Sequence, residues 1–129
     1  MHLHLPDLKT RPQDFDVATR HRFLAGALVP AAWYLQAQRF RRWYRDRVLE
    51  VFRDVDLILA PATPCAAPRI GQATMTIGGV EMPTRPNLGL FTQPISFIGL
   101  PVLCVPVPRP GALPIGVQVI AAPYREEWV

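Results

Sequence analysis

The stretch Pro30–Pro64, PAAWYLQAQRFRRWYRDRVLEVFRDVDLILAPATP, decides the fold. Pro30 suits the first turn of a helix, where its missing N–H removes no bond, and no further breaker occurs through Val55. On a wheel advancing about 100° per residue, Trp33, Ala37, Phe40, Tyr44, Val48, Val51 and Val55 fall within an arc of roughly 80°, one face built for burial. Leu57–Ala60 follow at once as a continuous apolar block ended by Pro61. That pattern predicts a short strand covered on both faces. A long amphipathic helix feeding such a strand points to an α/β layer fold.

Upstream, DFDVATRHRFLAGALV predicts another helix, with Asp14 or Asp16 as N-cap and Phe23, Leu24, Ala27 and Leu28 on its apolar side. Downstream, ATMTIGGVEMPT has two short runs around Gly78 and Gly79, the signature of a hairpin on the surface. PVLCVPV and GVQVIAA read as strands joined by the loop PRPGALPI, close enough for antiparallel pairing. The uncharged stretch Asn87–Pro108, NLGLFTQPISFIGLPVLCVPVP, includes the first of these strands. About twenty such residues could span a bilayer, but Pro94, Pro101, Pro106 and Pro108 forbid a spanning helix. The expectation is a short helix interrupted near Pro94 and stopped by Gly99, then a strand entering a sheet buried on both sides. The chain closes on YREEWV, which reads as a helix opening.

The 129 residues are half apolar, enough for one domain or part of one. Lys9 is the sole lysine, so arginine carries nearly all the positive side of a formal charge of +4. Two cysteines outside any CxxC and a polar beginning point to a reduced, cytoplasmic chain without a signal peptide.

Three constellations invite functional readings. Arg39, Arg41, Arg42, Arg45 and Arg47 interleave with Phe40, Trp43 and Tyr44, a mixture that can grip nucleic acid. Phe40 and Tyr44 fall inside the apolar arc, however, and Arg42 can pair with Asp46 and Arg53 with Glu50, which favours a solvated helix face. A non-catalytic binding module using residues 39–47 on RNA or an acidic partner is the alternative. His2 and His4 have metal-ligand spacing, but His21 is the only further histidine and the pair lies at a chain end, so no metal site is assigned. Ser96 is the only serine, in an apolar context with no nearby base; Cys65, among prolines and alanines, has no neighbouring base or cation in the sequence to activate it. No catalytic residue and no cofactor motif is identified within the chain.

The order of three motifs adds a resemblance. Asp56, the apolar Leu57–Leu59, Pro61, Thr63 and Pro64 are followed by Gly99-Leu100-Pro101 before a strand ending Val105-Pro106, and then by Leu113, Pro114, Gly116 and Gln118. In this order and spacing the whole chain, residues 1–129, resembles the C-terminal third of the amidase signature family, in the branch of carboxybiuret hydrolase and glutamyl-tRNA(Gln) amidotransferase.

The resemblance implies part of an α/β/α fold around a mixed sheet, and hydrolysis of carboxamide or urea-like C–N bonds without metal or other cofactor. Members use a Ser, a cis-Ser and a Lys, the lysine held neutral to act as base and backbone N–H groups forming the oxyanion hole. None of the three is expected here, because Ser96 and Lys9 stand outside the family pattern; the chain alone is expected to be inactive and to need a complementing amidase segment. By alignment Arg22 would hold a substrate carboxylate, two parallel hydrogen bonds suiting a guanidinium; a pairing with Asp14 or Asp16 explains it equally. Thr92 and Gln93 are candidates for the pocket wall, or buried polar groups satisfied by backbone. Gly89 stands where glutamine-using relatives carry an Asp for the substrate amine, and Ser96 where many carry Asn. A small carboxylated or urea-like amide is therefore the expected substrate class in the complete enzyme, with no membrane partner.

Overall fold

The computed structural model describes residues 4–129. The chain divides into two units, Met1–Phe40 and Arg41–Val129.

The first unit holds α1 (Leu5–Thr10), a 3-10 turn (Pro12–Asp14), α2 (Val17–Ala27) and the beginning of α3 (Ala31–Val51). Of the two acidic candidates, Asp16 caps α2: its carboxylate accepts from the Thr19 N–H at 3.0 Å and from the Thr19 hydroxyl at 3.2 Å. Asp14 instead pairs with Arg11 at 3.1 Å, as does Asp7. The hydrogen bond to Asp7, then the charges of Asp14 and Asp7, raise the Arg11 pKa above its ordinary value. His4, Phe15 and Phe23 form an aromatic cluster, with the His4 and Phe23 ring centres 5.4 Å apart. His2, the other half of the HxH, lies outside the described residues.

The second unit is built on a three-stranded antiparallel sheet in the order β1 (Leu57–Pro61), β5 (Ala112–Ala121), β4 (Val102–Arg109). The predicted pairing of the last two strands holds, and both run into the predicted loop, leaving only Pro110 and Gly111 as the turn after an irregularity between Val107 and Arg109. A separate hairpin joins β2 (Thr74–Ile77) to β3 (Val80–Pro83), with Gly78 and Gly79 at φ +57° and +81°, angles a side chain would oppose. Two short helices follow, α4 (Thr84–Asn87) and α5 (Gln93–Ile98). Pro94 sits in the first turn of α5 rather than interrupting it, since that turn has no use for its N–H, and left-handed Gly99 ends the helix. A 3-10 turn, Glu126–Trp128, occupies the predicted helix opening.

One face of the sheet makes the core. Ile98, Leu100 and Ile120 are buried together, with Tyr44, Val48, Leu49 and Phe52 of α3 and the turn after it, Ile95 of α5, and Ile58 and Ala60 of β1 packed around them. Of the apolar arc on α3, Tyr44 and Val48 are used this way, joined by Leu49 and Phe52 from outside it; Trp33 remains 71 %, Val51 46 % and Val55 41 % exposed.

The opposite face corrects the expectation of a sheet buried on both sides. Cross-strand partners share a face, so Leu57 and Leu59, paired with Ala121 and Val119, lie together with Leu103, Val105 and Val107 of β4. Leu59 is 69 % and Leu103 49 % exposed. The apolar run in β1 does specify cover on two sides, but α3 and α5 supply it on one. Among the described residues no helix is long and apolar enough to cross a membrane.

Candidate functional site

The ladder fixes where the second unit can present polar groups. The Ala62 N–H donates to the Gly116 carbonyl at 2.8 Å, and the Ala121 N–H to the Pro101 carbonyl at 3.1 Å. Backbone groups alternate in direction along a strand, so Gly116, Gln118 and Ile120 turn theirs toward β1 while Val117, Val119 and Ala121 turn theirs toward β4. Pro61 and Pro106 consequently sit opposite residues that ask nothing of their missing N–H groups, which is how prolines are accommodated in both edge strands.

Gln118 stands in the middle of this sheet and is 3 % exposed. Its side chain lies on the face that packs against the helices, the face it shares with Ala60 and Cys104 across the ladder. The Nε2 group donates to the Pro61 carbonyl at 2.7 Å and to the Phe91 carbonyl at 3.1 Å. One carboxamide therefore ties the end of β1 to the segment that leads into α5.

That segment carries two of the three candidate binding residues. Thr92 is half-buried; its hydroxyl donates to the Gly89 carbonyl at 3.3 Å, and its N–H makes a bond of 3.2 Å to the same oxygen. Gln93 is exposed at the first position of α5, and its N–H donates to the Gly89 carbonyl at 2.9 Å. The Gln93 side chain folds back over Gly89: a β-carbon placed there would stand 2.9 Å from Gln93 Nε2 and 3.2 Å from its Cγ. An Asp at position 89 and this pose of Gln93 exclude each other. Ser96, one turn on, is exposed.

Across the Gln118 bridge lies the loop after β1, where the Thr63 hydroxyl donates to the Cys65 carbonyl at 2.8 Å and the Cys65 thiol lies 3.6 Å from the Met75 sulfur. A shallow groove of about 380 Å³ runs beside Thr63 along Leu59, Ala60, Pro61 and Ile115–Val117. Its walls are apolar, and neither Thr92 nor Gln93 lines it.

Arg22 belongs to the first unit, exposed on α2. Arg11 pairs with Asp14, and Asp16 caps α2. On α3 the ion pair joins Arg47 to Glu50 at 3.1 Å, in place of the expected Arg42–Asp46 and Arg53–Glu50 pairs, and the Arg41 guanidinium lies 5.9 Å from the centre of the Phe97 ring.

The residue that sequence reasoning places only in a motif, without a role, is Gln118. Its signal is a single carboxamide inside the apolar run GVQVIAA, a polar group that must find partners when buried. Its partners lie 57 and 27 residues away.

The chain is 54 % identical over 127 residues to AtzE, the 1-carboxybiuret hydrolase subunit from Pseudomonas sp. (strain ADP), covering 96 % of this chain and 28 % of that protein. It is 33 % identical over 129 residues to a glutamyl-tRNA(Gln) amidotransferase subunit from Wolinella succinogenes, covering 95 % of this chain and 27 % of that one. Among solved structures, an inhibitor-bound vestigial protein complex, described as revealing the evolutionary origins of an s-triazine catabolic enzyme, superimposes with a TM-score of 0.89 at 53 % identity, over 96 % of this chain and 28 % of its own. The chain thus spans little more than a quarter of the length of these relatives. With residues 5–129 matching the Amidase family, the chain belongs to that family.

Proposed function

We propose that this chain is the C-terminal portion of an amidase-signature amidohydrolase, which cleaves the C–N bond of a carboxamide or urea-like substrate once joined to the portion carrying the Ser, cis-Ser and Lys. The observation that carries the reading is the exposed apolar face of Leu57, Leu59, Leu103, Val105 and Val107, in a chain that matches only 28 % of a 54 % identical relative. A sheet whose helices cover β1 on one side, and whose β4 is exposed on both, lacks part of the cover that an α/β/α sandwich provides, and a complementing amidase segment is the partner that would supply it.

In this reading Thr92 and Gln93 form part of the substrate pocket wall; Arg22 is proposed independently of them, as a guanidinium suited to a substrate carboxylate. A small carboxylated or urea-like amide is the substrate class, since neutral Gly89 and the Gln93 carboxamide leave no carboxylate at that point to hold a substrate ammonium.

The test is an assay of the isolated chain against simple amides and carboxylated ureas, repeated after co-expression with the remainder of the 1-carboxybiuret hydrolase subunit. The isolated chain is expected to give no turnover, and the co-expressed pair to restore it. Hydrolysis by the isolated chain that survives Ser96→Ala would overturn the reading.

A further inference from the structure

We propose that Gln118 is a positioning residue, whose carboxamide sets the distance between the end of β1 and the Phe91–Gln93 segment and thereby places Thr92 and Gln93 for substrate. The functional half of this proposal rests on the amidase reading above; the clamp itself rests on geometry within the second unit.

Three observations combine. Gln118 is 3 % exposed, so water does not compete for its amide protons. Both acceptors are main-chain carbonyls, of Pro61 and Phe91, so the side chain fixes backbone rather than another side chain. The Phe91 carbonyl belongs to the residue directly before Thr92, and the segment's other bonds are local: Thr92 and Gln93 donate to Gly89, and Ser96 to Thr92. Those local bonds shape the turn. Among the described residues, the hydrogen bond that ties it to the sheet is the one from Gln118.

A group that only filled core volume could be replaced by any side chain of similar size. A clamp requires an N–H donor with the reach of glutamine. Gln118→Met keeps length and removes the donor; Gln118→Asn keeps the donor and removes the reach. Gln118→Glu replaces the amide by a carboxylate facing two carbonyl oxygens, and regains one donor when the introduced carboxyl is protonated at low pH.

The experiment is hydrogen exchange on the full chain, comparing the amides of Thr92, Gln93 and Ser96 with those of Val48 and Ile120. Loss of a buried hydrogen bond should speed exchange in the 92–96 segment about tenfold or more in Gln118→Met and Gln118→Asn, with the core amides unchanged. Gln118→Glu should show the same acceleration, corrected for intrinsic exchange, at neutral pH and recover protection as pH falls. Equal acceleration at all sites would reduce Gln118 to a stability residue and overturn the proposal, as would unchanged exchange at 92–96. Should Gln118→Met fail to fold, the pH profile of Gln118→Glu still decides.

In the pair co-expressed with the remainder of the carboxybiuret hydrolase subunit, Gln118→Met should raise KM about tenfold with kcat little changed, as expected where binding geometry is disturbed and the reacting groups are intact. A fall in kcat at constant KM would overturn the substrate-positioning role. If the wild-type pair shows no turnover, the amidase reading falls, and the exchange measurement still decides the clamp.

Discussion

Gly116 is placed by space rather than by backbone angle. A β-carbon there would lie 2.9 Å from both the Ala62 Cβ and the Cys104 Sγ, atoms on short side chains that cannot swing aside. In the sequence the glycine is one member of the Leu-Pro-x-Gly-x-Gln motif, but the reason for it becomes visible only when the loop after β1 and the middle of β4 are seen converging on β5. Gly116→Ala should cost about 1–3 kcal/mol through overpacking, read as a lower urea midpoint with an unchanged denaturant slope. Gln118 gives the same lesson. Its partners Pro61 and Phe91 are distant in sequence, so its burial is legible from the apolar run around it and its role is not.

At the scale of elements, local signals suffice wherever the structure they specify is itself local. The Asp16 cap, the Gly78–Gly79 turn and the stop at Gly99 each depend on a few adjacent residues, and each lies where chain chemistry puts it. The mismatch at β1 has a different source. A continuous apolar run states that both sides of a strand seek cover, and is silent on whether the same chain provides it. Here Ile58 and Ala60 meet the helices while Leu57 and Leu59 face out. Two substitutions separate these faces. Ile120→Ala, at a fully buried position on the helix side, should destabilise the isolated chain by about 2–5 kcal/mol in a chemical melt. Leu59→Glu, on the bare face, should change the same melt by no more than about 0.5 kcal/mol when it is run dilute enough to keep the chain monomeric. In co-expression with the remainder of a related amidase the order should reverse for association, Leu59→Glu abolishing co-purification because it would bury an unpaired carboxylate.

For the whole molecule, the balance between core and exposed apolar surface governs behaviour in solution. The buried cluster is small, built around Ile98, Leu100 and Ile120, whereas Leu57, Leu59, Leu103, Val105 and Val107 form a contiguous apolar sheet face beside two strand edges. Pro61 and Pro106 remove one donor from each edge, and the irregularity after Val107 shortens the regular part of β4, so edge-to-edge growth is partly blocked. The face carries no such protection. Isolated chain should therefore associate through the face rather than the edges: sedimentation velocity should show oligomers at micromolar concentration, with binding of a hydrophobic dye. Leu59→Glu should shift the distribution toward monomer and lower the dye signal. A wild-type monomer that melts sharply and cooperatively would show that this unit needs no second layer, and would remove the principal physical support for a complementing segment.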